Sequence, residues 1–152
     1  MTGVQTCALP ICRTVLVPVD GSDNSFRALS HALQYHEGDD IIVLHVVNPL
    51  VGEYSEQTLG GTERKQSEVV VETVQDRFEN ANLQHTSFEV VVKEGAPQDV
   101  IVSYAEREDV DQIVMGTRGL AGVKRMLLGS VADGVIRRSS VPVNVVPGGD
   151  ES

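Results

Sequence analysis

Cysteine is scarce in this chain and badly placed for chemistry. Cys7 and Cys12 both fall in the first twelve residues, and their C-x4-C spacing matches neither a redox C-x-x-C nor a zinc knuckle. Long apolar runs are missing too. The longest span five to eight residues, far below the roughly 20 that a membrane helix needs. No stretch has the basic, apolar and small-residue order of a signal peptide, so a cytoplasmic protein is expected. Basic residues are few: nine Arg and three Lys stand against 22 Asp and Glu, a net charge of −10. That balance argues against nonspecific nucleic-acid binding. Neither the dinucleotide G-x-G-x-x-G nor the phosphate loop G-x-x-x-x-G-K-[ST] occurs. The nucleophile elbow G-x-S-x-G is absent as well. His31, His36 and His85 have no ligand spacing with one another or with acids, so no protein-built metal site is expected. His45 stands alone in an apolar strand and reads as a satisfied core residue.

What remains is a chain that is 41% hydrophobic over 152 residues, enough for one domain with a core of its own. The opening MTGVQTCALPI fits nothing downstream and resembles an in-frame translation of a sequencing adapter. Residues 1–12 are therefore read as a non-native leader, 13–147 as the domain and 148–152 as a tail. Arg13 to Val19 is almost wholly apolar, as a strand buried on both faces should be, and Asp20-Gly21-Ser22 stops it. Ser22 or Asp23 caps a helix whose apolar face is Phe26, Leu29, Ala32 and Leu33. Ile41 to Val47 is a second buried strand, and Pro49 to Gly61 a long polar connection. Val69, Val70, Thr73, Val74, Arg77 and Phe78 give helical spacing within 62–81. A third strand at 86–92 ends at Gly95, and Pro97 suits the first turn of a third helix, with Val100, Ile101 and Tyr104 facing inward. Val131, Val135 and Ile136 mark a fourth helix starting near Ser130. Pro142 cannot donate to a ladder, which puts the last strand, 141–146, at an edge. Strands alternating with helices on short connections predict an α/β fold with a five-stranded parallel doubly wound sheet.

The functional signal lies in Asp111 to Val131. A short apolar run, Ile113 to Met115, is followed by Gly116, by Gly119 after two residues, and by Gly129-Ser130 after nine more. Glycine permits positive φ and close approach of another molecule. A strand, a Gly-rich loop and a helix start in that order gather backbone N–H groups around one concavity, with the helix dipole pointing into it. That chemistry suits a phosphate. Charge agrees. From Gly116 to Ser140 the basic residues Arg118, Lys124, Arg125, Arg137 and Arg138 outnumber the single acid Asp133, giving +4, and the rest of the chain carries −14. Arg137 and Arg138 also suit a helix carboxyl end.

Gly116-x2-Gly119-x9-Gly129-Ser130 resembles the nucleotide signature of the ATP-binding branch of the universal stress protein family. VPVDGS and EGAPQDVIVSYAE resemble that family's first and third strand-to-helix turns. The SGGxDS signature of ATP pyrophosphatases, which share a related fold, is missing. The resemblance implies strand order 3-2-1-4-5, flavodoxin-like or adenine-nucleotide alpha hydrolase-like, and a homodimer through the last strand. It implies an ATP site in which adenine lies between Pro18-Val19-Asp20 and the backbone of Val46 or Val47. The ribose would pass Met115-Gly116, and the phosphates would curl over Arg118 and Gly119 to the N–H groups of Gly129, Ser130 and Val131. Mg²⁺ or Mn²⁺ would bind through phosphate oxygens and water.

No positioned nucleophile accompanies this site. Asp20 is expected at the wrong end of the nucleotide for phosphoryl transfer, and Asp133, one turn into its helix, is more at home with solvent. A regulatory, nucleotide-binding stress-response module with at most slow turnover is expected. The alternatives are a slow ATPase or phosphotransferase, and a ligand-free protein-interaction module of the same fold.

Overall fold

The computed structural model describes residues 13–48, 56–83, 86–117 and 128–148. The leader 1–12, the loop positions 118–127 and the end of the tail lie outside them. Five strands form one parallel sheet: β1 (Thr14–Pro18), β2 (Asp40–Val47), β3 (Ser87–Glu94), β4 (Gln112–Gly116) and β5 (Val143–Val146). Their order is β3-β2-β1-β4-β5, as the resemblance implies. Between them run helices α1 (Asp23–Tyr35), α2 (Glu56–Ala81), α3 (Pro97–Arg107) and α4 (Ser130–Arg138).

The sheet is buried on both sides because the interior positions of its central strands are almost all apolar. Val15, Val17, Ile41, Val43 and Val114 point into one core with α1 and α2. Leu16, Leu44, Ile113 and Met115 point into the other with α3 and α4. Consecutive residues thus feed opposite cores, the two-residue period of a strand. Each fully buried Val, Leu or Ile is worth about 1.5–3 kcal/mol. β5 lies at an edge, and Pro142, just before it, adds its carbonyl as acceptor for the Ile113 N–H at 2.9 Å. Among the described residues, no helix is long and apolar enough to cross a membrane.

Four expectations shift. Helix α2 begins at Glu56, so Gly60 and Gly61, read as part of a connection, lie inside it. Each costs about 1 kcal/mol against alanine, which propagation from the packed part of the helix offsets. Within α2, Val70 and Val74 are buried but Val69 is 59% exposed, because the stripe is narrower than its spacing suggests. In α4 the buried residues are Ala132 and Val135, and Ile136 faces outward. β3 runs two residues past Val92 and ends in Lys93 and Glu94, charges that suit an edge strand.

Candidate functional site

β1 and β2 stay paired as far as Pro18 and Leu44, and β4 and β5 as far as Gly116 and Val146. Between β1 and β4 the pairing stops at Leu16 and Ile113. The sheet therefore opens along its middle at the carboxyl ends of these two strands. The sequence supplies the reason. The Val19 N–H donates to the Leu44 carbonyl at 2.9 Å, so odd-numbered residues of β1 face β2 and even-numbered ones face β4. The next rung to β4 would start from the N–H of residue 18, and Pro18 has none. A proline in a central strand is the signal, legible in the sequence, that this ladder ends early.

One lip of the opening is the β1–α1 turn. The Ser22 N–H donates to Asp20 Oδ1 at 2.9 Å, an Asx turn. Gly21 takes φ +95°, which few other residues tolerate. Ser22 Oγ then accepts from the Ser25 N–H at 3.2 Å, capping α1. Asp20 itself is exposed, so its carboxylate both builds the turn and faces solvent at the lip.

The other lip is the end of β4. The Thr117 N–H donates to the Val146 carbonyl at 3.2 Å, and the Thr117 carbonyl accepts from the Gly129 N–H at 2.6 Å. That bond sets the start of α4 directly at the end of β4. Gly129 is the N-cap and provides no side-chain cap. The Ser130, Val131 and Ala132 N–H groups of the first turn thus lie at the orphan positions of a helix start. Gly129 had been expected to offer its own N–H to phosphate. In this structure that N–H is bonded to Thr117, and the donor set is Ser130 and the residues behind it.

Neither Gly116 nor Gly129 takes a positive φ. Gly129 has φ −70° and ψ 165°, open to any residue. Gly116 is buried, and a Cβ there would meet the Asn24 carbonyl oxygen at 2.7 Å. The first turn of α1 thus packs directly on the end of β4 and explains this glycine without any ligand. Arg118, Gly119, Lys124 and Arg125 lie outside the described residues.

Two of the five cations counted toward the anion site belong elsewhere. Arg137 pairs with Asp133 at 3.0 Å, and Arg138 pairs with Asp99 at the start of α3. Both sit at the far end of α4, roughly 10–12 Å from its start at 1.5 Å per residue.

On the β2 side, Val46 follows the last rung to β1. His45 behaves as the satisfied core residue expected, with Nδ1 2.9 Å from the Val19 carbonyl oxygen and Nε2 3.2 Å from Ser67 Oγ. The described residues hold no group of three or more His, Cys, Asp or Glu able to bind a metal ion.

Comparison with known proteins agrees with this architecture. Residues 12–147 match the profile of the Universal stress protein family. Universal stress protein MJ0531 of Methanocaldococcus jannaschii is 35% identical, over 88% of this chain and 81% of its own length. The solved structure of MJ0577 from the same organism superposes with a TM-score of 0.75 at 29% identity, covering 91% of this chain and 98% of that one. A universal stress protein solved in complex with cAMP is 30% identical with a TM-score of 0.62, over 90% of this chain and 97% of its own. The strand order, the opening between β1 and β4 and the match over nearly the whole domain place this chain in the universal stress protein family.

Proposed function

We propose that the opening between β1 and β4 binds an adenine nucleotide, and that the protein is a nucleotide-responsive stress module. The observation that carries this reading is the conjunction of a ladder broken at Pro18 with a helix start left uncapped at Gly129. A crevice at the switch point of a doubly wound sheet is where such folds take ligands, and an uncapped helix start offers N–H donors and a favourable dipole to an anion. Support also comes from the cAMP complex, whose ligand is an adenine nucleotide in a protein of this family.

In this reading the base lies between Pro18-Val19-Asp20 and the backbone of Val46, and the ribose passes Met115 and Gly116. The phosphates reach Ser130 and Val131 beneath Gly129, with the Ser130 hydroxyl as a further donor. Arg118 and Gly119 are assigned to the phosphates by the sequence pattern. ATP is the nucleotide this reading assigns, and a Mg²⁺ or Mn²⁺ would enter on its phosphate oxygens. Binding is favoured over turnover, because Asp133 is held by Arg137 and Asp20 by its own turn. β5 presents an outer backbone edge to a second copy, so a dimer through that strand is part of the proposal.

The test is direct. Purified protein is denatured and its supernatant examined by mass spectrometry for adenine nucleotide, and the stripped protein is titrated with ATP by calorimetry. Saturable ATP binding that disappears in Gly129→Val, with the fold intact by circular dichroism, is the expected result. Wild-type protein that takes up no adenine nucleotide, or a Gly129→Val variant with unchanged affinity, overturns the reading.

A further inference from the structure

The side chain that the site does not yet use is His45, and its hydrogen bonds sit where β1 leaves the sheet. In β2 the Leu44 carbonyl accepts from the Val19 N–H, and the Val47 carbonyl accepts from the Gly95 N–H, both at 2.9 Å. Even-numbered residues of this stretch therefore turn their main chain toward β1, and odd-numbered ones toward β3. Continued by one rung, the β1–β2 ladder would place the Val46 N–H on the Val19 carbonyl. The Val19 carbonyl is instead 2.9 Å from His45 Nδ1.

A carbonyl only accepts, so Nδ1 carries the hydrogen, and Nε2 lies 3.2 Å from Ser67 Oγ. The ring is 8% exposed, and both nitrogens are partnered. The position follows from the pleat: His45 lies on the α1–α2 face, and its neighbour Val46 turns its N–H and C=O toward the crevice.

We propose that His45 is a positioning residue for the base. By drawing the Val19 carbonyl out of the ladder, it holds the β1–α1 turn away from Val46 and keeps that residue's donor and acceptor open. An N–H beside a C=O on one strand edge matches a 6-aminopurine, which offers a ring-nitrogen acceptor beside an amino donor. It opposes a 6-oxopurine, whose carbonyl and ring N–H reverse that order. His45 thus sets the preference for adenine over guanine without touching either. This inference rests on the nucleotide reading above, which places a base at Val46.

The test compares His45→Asn, whose amide puts a donor where Nδ1 lies, with His45→Gln and His45→Leu, which leave that position empty. Affinities for ATP, GTP and inorganic tripolyphosphate are measured by calorimetry on stripped protein. His45→Asn should keep the wild-type ATP-to-GTP ratio within about threefold. His45→Gln and His45→Leu should lose at least tenfold of it, with tripolyphosphate binding unchanged in all. An unchanged ratio in every variant, or a loss that follows melting temperature instead of the donor, overturns the role.

A second measurement needs neither variant nor ligand. In the ligand-free wild type, the Val46 amide should exchange with deuterium at least tenfold faster than the ladder-paired Leu44 amide. Equal protection overturns the His45 role even if ATP binds, whereas fast exchange in a protein that binds no nucleotide would sink the functional reading alone.

Discussion

Two helices begin at the same edge of the sheet and solve the same problem differently. At the start of α1, Asp20 Oδ1 takes the Ser22 N–H and Ser22 Oγ takes the Ser25 N–H. The chain's own oxygens satisfy the donors, and the turn is complete by itself. At the start of α4, the N-cap is a glycine with no side-chain acceptor. Among the described residues, the Gly129 N–H is bonded to the Thr117 carbonyl. A glycine N-cap gives up roughly a few tenths of a kcal/mol against a side-chain cap, so leaving the cap out sacrifices a little stability at this position. In the proposed site, the omission leaves oriented first-turn donors for the nucleotide's phosphates. On the proposed reading, α1 is a wall of the crevice and α4 the floor that meets the phosphates.

Giving α4 the cap that α1 has should produce the largest effect. In Gly129→Asp, a carboxylate at the N-cap accepts from the first-turn N–H groups and occupies the anion position with a like charge. Cap and dipole together should raise stability by about 0.5–1 kcal/mol, or roughly 1–4 °C in melting temperature for a chain of this size. ATP affinity should fall at least a hundredfold. Calorimetry and thermal unfolding on the same sample check both signs. A variant that is stabilised and still binds ATP would show that phosphate does not sit on this helix start.

Pro18→Val comes next. It restores the N–H that β1 lacks toward β4 and allows the rung to the Val114 carbonyl. One hydrogen bond adds about 1 kcal/mol, and losing proline's restriction of the unfolded chain removes about 0.4–1 kcal/mol. The melting temperature should barely move. ATP affinity should drop about tenfold as the lips draw together, and unaltered binding would show that the opening does not depend on the proline.

How much of this was legible beforehand depends on which interactions are local. The strands and helices follow from periodicity and short connections, and most apolar residues the pattern marks lie in the two cores, Val69 and Ile136 excepted. The Asx turn and the Ser22 cap involve neighbours in sequence, so Asp20-Gly21-Ser22 announces them. Gly116 was visible as a glycine but not its reason, since Asn24 lies 92 residues earlier in the chain and only the packed fold brings it near. His45 was legible as buried. Its use in ending a ladder was not, because this needs the register of β1 against β2. The cations Arg137 and Arg138 were counted toward a local charge, whereas Asp99, the partner of Arg138, sits on another helix.

Ser22→Ala strips α1 of its cap and tests the wall rather than the floor. It should cost about 1 kcal/mol, a fall of roughly 2–4 °C, while ATP affinity stays within about twofold because no donor at α4 changes. A large loss of affinity here would mean that the Asp20 turn, not the α4 start, governs binding. The smallest effect belongs to Arg137→Ala with Arg138→Ala. Their partners Asp133 and Asp99 are 48% and 62% exposed, and such surface pairs are worth about 0–1 kcal/mol each. Both arginines sit beyond the last turn's reach of a phosphate held at Ser130. Affinity measured at low and high salt should therefore match wild type closely. A steeper loss at low salt would instead return these two cations to the anion field, and the contrast between the two ends of α4 would have to be withdrawn.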